Sequence, residues 1–206
     1  MMAIWAFLQK GGFLIWPLLF CSVLGLAIFL NRLVVLRNLK KEEALYHFPW
    51  KSLSPEDLHR LAAGDGILAR MAREIAPVCC KDRAFLESLL GHLIDQQIAK
   101  VSRYLDHLAT LASIAPLLGL LGTVTGLIKA FMVVERTGGK VNAAMLAGGL
   151  WEAMLTTAVG LAVAIPLIVG HRYLLSSLEN YEESLELLAL RLIKALFSET
   201  DEKKTP

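Results

Sequence analysis

The chain has 206 residues, of which 55% are hydrophobic and only 19% charged, with a formal net charge of +2. Such an apolar composition excludes an ordinary soluble domain, and so small a net charge gives no reason to expect a nucleic-acid partner. The three cysteines offer no metal or redox motif: Cys21 sits in an apolar run, while Cys79 and Cys80 are adjacent in a charged one. All three are expected to be reduced and structural.

The first apolar run, Phe13 to Leu30, is about long enough to cross a bilayer. It carries only Lys10 ahead of it and is followed by Asn31, Arg32, Arg37, Lys40 and Lys41 with no small-x-small cleavage site. That flank predicts a retained anchor whose C-terminal end is held inside. Pro17 falls in the first turns, where a missing N–H costs least.

Between this run and the next, Phe48 to Asp65 contains Pro49, Pro55 and Gly64 and reads as a break with short helices at most. From Asp82 to His107, Leu86, Leu90, Leu93, Val101 and Leu105 recur at near-helical spacing. No breaker separates them from the second apolar run, Leu108 to Val134, so one helix from Ala84 to Val134 is predicted, roughly 75 Å long at 1.5 Å per residue.

The third apolar run, Met154 to Gly170, is preceded by Trp151 and Glu152 and ended by His171, Arg172 and Tyr173, flanks that suit the two membrane interfaces. Beyond it Leu174, Leu178, Tyr181, Leu185, Leu188 and Leu192 alternate steps of four and three, a coiled-coil-like seam. Two partners suit that seam equally: the chain's own cytoplasmic helix, or another subunit. From Glu199 onward a loose polar tail is expected.

Twelve Lys and Arg lie between Asn31 and His107 and five follow Gly170, against Lys10 alone at the N-terminus and Arg136 and Lys140 between the second and third runs. The positive-inside rule then puts the N-terminus and the short loop outside, the large segment and the tail inside.

No Ser–His–Asp order, H-E-x-x-H motif or phosphate-binding loop is present, and the five histidines stand apart from one another. The chain is therefore not expected to be an enzyme or to hold a metal or cofactor. The informative residues lie in the second and third runs. At 100° per residue, Ala112, Pro116, Gly119, Gly126 and Ala130 fall within about 60° of Thr123 on a helix. Ala153, Thr157, Gly160 and Ala164 form a matching stripe in the third run. Counted from His107 and Arg172, Thr123 and Thr157 both sit roughly 23 Å above the inner boundary. Two readings stay open. Small residues let membrane helices approach while each hydroxyl caps a local carbonyl, or the two threonines line a polar passage.

Glu152 is the only acid between Glu135 and Glu179, lies roughly 30 Å above the inner boundary and shares a face with Thr156. An ionisable group at that level is a functional candidate, with an acid wetted by outer water as the plain alternative. Lys129 stands at nearly the same height. It either pairs with Glu152 or snorkels outward, being about 120° from the Thr123 face.

These same residues carry a family resemblance. Ala115–Pro116–Leu117–Leu118–Gly119–Leu120–Leu121–Gly122–Thr123–Val124–Thr125–Gly126–Leu127 resembles the second-span motif of the MotA/TolQ/ExbB proton-channel family. The stretch from Gly149 through Trp151–Glu152 and Thr156–Thr157 to Pro166 resembles its third-span motif, and Lys10–Gly11–Gly12 through Trp16–Pro17 to Arg32 is similar to the short ExbB-like members. Three spans favour an ExbB-like or TolQ-like member over MotA, which has four.

The resemblance implies an all-α, three-span integral membrane protein of the bacterial inner membrane, its long helices extending into a cytoplasmic helical region. It implies a homopentamer in lipid, enclosing the membrane helices of two copies of an ExbD- or TolR-like single-span partner and working with a TonB- or TolA-like protein. Thr123, Thr157, Glu152 and Thr156 would line the ion pathway, with Pro116, Gly119, Gly126, Gly160 and Ala164 packing the helices. The implied function is proton-driven energising of TonB-dependent outer-membrane transport; a TolQ-like role in the Tol-Pal envelope system and a purely structural membrane scaffold are the alternatives. The expected organisation is an outer N-terminus and first span over 1–31, a cytoplasmic helical region over 32–107, and a second span over 108–134. A periplasmic loop over 135–150, a third span over 151–171, and a cytoplasmic helix and tail over 172–206 complete it. Asn31 stands where many members have Glu, which puts an inner-edge ion pair in doubt, and Trp151 replaces a small or polar residue.

Overall fold

The computed structural model describes residues 13–44, 62–64, 66–77, 83–136 and 143–202. They form four helices: α1, Ile15–Ala44; α2, Ile67–Ile75; α3, Arg83–Arg136; and α4, Ala143–Glu202. No strand occurs among the described residues, and three of the helices are long and apolar enough to cross a membrane. The chain is all-α.

Each long helix continues where its sequence lacks a breaker. The 54 residues of α3 bear out the single helix expected from Ala84 to Val134. α1 runs through its basic flank to Ala44. α4 starts at Ala143, ahead of Trp151, because Ala143, Ala144, Met145, Leu146 and Ala147 are good helix formers. It also runs through Glu199 to Glu202, where a loose tail was expected. Lys10–Gly12, most of the Phe48–Asp65 break, Cys79, Cys80, residues 137–142 and the last four residues lie outside the described residues.

Two compact units divide the chain. The first comprises the described parts of Met1–Leu33 and Tyr104–Leu174. One residue from each long helix, Leu18, Ala115 and Ala164, meets at its centre, with Leu118, Val159 and Val163 packed around them. α3 and α4 run antiparallel with small residues in register. Gly119 faces Thr157 and Gly160, Gly122 faces Thr156, Gly126 faces Ala153, and Gly149 faces Ala130. A methyl group on Gly160 would stand 2.8 Å from the Ala115 carbonyl oxygen and 3.0 Å from the Gly119 Cα, so the backbones touch where side chains would otherwise hold them apart. α1 packs Gly25 against Leu167 and Phe29 against Gly170. Its other face exposes Trp16, Phe20, Val23, Leu26 and Leu30, an apolar belt that hydrocarbon solvates at no cost. At the lower end of this unit the Arg32 guanidinium carbon lies 4.0 Å from the Tyr104 ring centroid. That stack ties α1 to α3 where the sequence put an ion pair in doubt.

The second unit comprises the described parts of Val34–Arg103 and Leu175–Pro206. α2 buries Ile67, Leu68, Met71, Ala72 and Ile75 and leaves Arg70, Arg73 and Glu74 exposed. Its chain turns in through Gly66 at φ 106°, a conformation that glycine adopts without a Cβ clash. α3 buries Leu86, Leu90, Ile94 and Val101; Ile94 takes the position expected of Leu93, which is half-buried. On α4, Leu178, Tyr181, Leu185, Leu188 and Leu192 are all buried. The seam is therefore spent inside the chain, and of its two expected partners the intramolecular one holds.

Candidate ion-pathway site

The site is built on the α3–α4 contact of the first unit. Its glycines bring the two backbones close enough for side-chain hydroxyls of one helix to reach backbone oxygens of the other. Thr157 does so: its Oγ1 donates to the Gly119 carbonyl at 2.9 Å. Thr123 turns back on its own helix and donates to the Leu120 carbonyl at 2.7 Å, half-exposed at the edge of the contact. Thr156 is 2% exposed and donates to the Ala153 carbonyl at 2.7 Å. Gly122 faces Thr156, so Thr123 and Thr157 stand about two residues apart in level, roughly 3 Å.

Similar depth does not put these residues on one surface. Thr123 borders the contact on one side. Glu152 and Thr156 border it on the other, with Thr125 and Lys129, in a cleft of about 270 Å³ that Gly122, Leu121, Phe13 and Leu14 complete. Within that cleft Lys129 Nζ stands 3.1 Å from Glu152 Oε1, so the alternative left open by the sequence is decided in favour of pairing. The lysine bridges from its own face because its four-carbon stem spans the narrow α3–α4 gap. The carboxylate is about one-third exposed and the ammonium about two-thirds.

The packing residues Gly119, Gly126, Gly160 and Ala164 are all buried in this contact or beside it, and Pro116 is half-buried inside α3. Sequence periodicity missed Gly122 and Thr125. Gly122 lies about 100° from Thr123, off the stripe on which the expectation was centred. Its signal was present in the Gly119, Gly122, Gly126 spacing of three and four. Among the described residues no group of His, Cys, Asp and Glu is arranged to hold a metal ion.

An antiparallel pair of apolar helices with hydroxyls and one ion pair in its seam suits an ion-conducting membrane protein. Residues 60–187 match the sequence model of the MotA/TolQ/ExbB proton channel family. The chain belongs to that family. Among its relatives, the biopolymer transport protein exbB1 of Vibrio cholerae is 33% identical over 81% of this chain and 76% of its own length. A putative ExbB-like biopolymer transport protein of Synechocystis is 33% identical over 81% of this chain and 68% of its own. The Tol-Pal system protein TolQ of Haemophilus influenzae is 30% identical over 74% of each. The match to ExbB of Salmonella typhimurium, 32% identical, spans about half of that protein, 48%. The matched region takes in α2, all of α3 and most of α4, and so the whole α3–α4 contact of this family member.

Proposed function

We propose that the chain is an ExbB-like subunit of an inner-membrane motor driven by the proton motive force. Five copies enclose the membrane helices of an ExbD-like partner dimer, and the assembly energises outer-membrane transport through a TonB-like protein. Its N-terminus and residues 137–142 lie in the periplasm, its second unit and C-terminus in the cytoplasm. Thr123 and Thr157 serve as pore threonines, Glu152 as the acid at the outer mouth, and Thr156 as its neighbour on the same helix face.

The observation that carries this reading is the polar content of an otherwise apolar helix contact. A Lys–Glu pair set between two apolar helices is a costly feature for a mere scaffold. The names of the relatives favour the ExbB-like role: matches to proteins named as ExbB or an ExbB homologue cover up to 87% of the chain, the match to TolQ 74%. The test is co-expression with the single-span partner. Energised uptake should be restored in a strain lacking its own ExbB-like subunit, and native mass spectrometry of the mild-detergent extract should give a pentamer. Rescue of a Tol-Pal envelope defect instead of uptake would assign the TolQ-like role, and a stable monomer without ion flux would reduce the chain to a scaffold.

A further inference from the structure

The second unit holds a cavity of about 450 Å³ for which an ion pathway through the α3–α4 contact has no use. One face of α2 walls it, with Leu39 of α1 and Gln97 of α3 closing its sides, so the whole cavity lies within that unit. Arg70 and Arg73, three residues apart and so neighbours on α2, both line it. Among the described residues no carboxylate stands within ion-pair distance of either guanidinium. Arg73 spends only its Nε–H, on the Ala69 carbonyl at 3.3 Å, and keeps its terminal N–H groups. Glu74 lines the same wall, so two guanidiniums against one carboxylate leave the lining net positive.

We propose that this cavity binds a soluble organic phosphate, a phosphate monoester on a small hydroxylated carrier, with Arg70 and Arg73 holding the phosphate. Two neighbouring guanidiniums repel each other, and an anion between them turns that repulsion into attraction. A carboxylate offers oxygens enough for one guanidinium fork, whereas the three oxygens of a phosphate monoester serve both. The cavity is much larger than a bare phosphate needs and falls in the size range of small-molecule sites. Its remaining polar groups, the Glu74 carboxylate and the Gln97 amide, suit the carrier's hydroxyls. A lipid headgroup offers the same phosphate chemistry but lies too far away. Along α3, Gln97 is ten residues before His107, where the apolar run begins, which is roughly 15 Å. The headgroup layer extends only about 5–8 Å beyond the hydrocarbon core.

The inference does not rest on the channel reading, and its test measures binding alone. The full chain in phosphatidylcholine nanodiscs is titrated calorimetrically with ribose 5-phosphate, ribose and inorganic phosphate at physiological salt. Ribose 5-phosphate should bind, inorganic phosphate more weakly, and ribose not at all. Arg70→Gln and Arg73→Gln should each weaken ribose 5-phosphate roughly tenfold, the scale of a lost hydrogen bond to a charged group. Both side chains are exposed, so the helical circular dichroism signal should be unchanged. Lys194→Gln, which removes an exposed cation of α4 outside the cavity, should leave the affinity as it was. No binding of ribose 5-phosphate at millimolar concentration, or equal weakening by Lys194→Gln, would overturn the site and leave a solvated basic face. Inorganic phosphate binding as tightly as the ester would overturn the organic ligand. Loss of ribose 5-phosphate binding in phosphatidylglycerol nanodiscs would overturn the soluble source in favour of a headgroup, since salt screens a surface charge roughly 15 Å away.

Discussion

Thr157 on α4 hydrogen-bonds through its hydroxyl to the carbonyl of Gly119 on α3, 2.9 Å away and thirty-eight residues back along the chain. In an α-helix that carbonyl also accepts the N–H of Thr123, four residues on. The two threonines thus converge on one oxygen although their hydroxyls take different partners. The consequences of removing each hydroxyl are correspondingly unequal. Thr157→Val should lower the stability of the assembled complex by about 1 kcal/mol, the scale of such bonds between membrane helices. Thr123→Val, which loses only a bond within its own helix, should stay within about 0.5 kcal/mol of the parent. Under the proposed ion route both should abolish partner-dependent uptake while complex yield is preserved. Full uptake by the double mutant would assign both residues to packing.

The glycines separate close contact from mere helix content. Gly160→Ala drives its methyl into the backbone of α3, at 2.8 Å from the Ala115 oxygen, and should destabilise the first unit by about 1–3 kcal/mol through overpacking. Gly91 meets no atom within 4 Å of an added methyl. Gly91→Ala should therefore raise stability by about 0.5–1 kcal/mol through helix propensity alone. Thermal denaturation of the purified complex, followed by the helical circular dichroism signal, checks both. Gly160→Ala melting with the parent would show that the α3–α4 backbones are less close than described.

Orientation follows from charge. Reporters fused after Lys51 or after Asp201 are expected in the cytoplasm, and one placed between Thr137 and Asn142 in the periplasm. The twelve basic residues after the first span, against Lys10 before it, are the cause. A periplasmic signal from the Lys51 fusion would invert the arrangement.

Periodicity made the long helices legible, since nothing between Arg83 and Arg136 interrupts the pattern except Pro116, which a membrane helix tolerates. It also located the α3–α4 contact through Gly119, Gly126 and Gly160. The sequence raised the pairing of Lys129 with Glu152 as one of two readings but could not decide it. The angle of a Cα on a helical wheel does not report where a four-carbon side chain delivers its charge. The division of the site into two surfaces was not legible. Thr123 and Thr125 are two residues apart and so about 200° apart around α3, but only the position of α4 decides which surface each borders. α2 was passed over because its apolar residues fill a single short stretch, Ile67 to Ile75, too brief for periodicity to separate from a loop.

The leucine seam leads to a different expectation from the one its sequence suggested. Leu185 and Leu192 are fully buried within the chain. Leu185→Ala should cost about 2–5 kcal/mol as a core truncation. The loss should appear as proteolytic sensitivity of the second unit at every subunit concentration. Dissociation into intact, protease-resistant protomers would instead mean that the seam joins subunits.

The Lys129–Glu152 pair permits a test by exchange of charge. Lys129→Glu alone places two carboxylates about 3 Å apart and should depress uptake and complex yield, since like charges in contact disfavour the closed arrangement. Glu152→Lys alone places two ammonium groups there with the same result. The double exchange restores an attractive pair, and complex stability should recover by about 1 kcal/mol relative to the sum of the singles, as partly solvated pairs allow. Uptake should recover less than stability, because the exchange moves the carboxylate from α4 to α3 and out of reach of Thr156, its neighbour one turn along α4. Glu152→Gln should impair uptake more mildly than Thr157→Val, because water reaches the one-third-exposed side chain and can stand in for part of its role. A double exchange no more stable than the additive singles would show that the two side chains do not pair in the membrane.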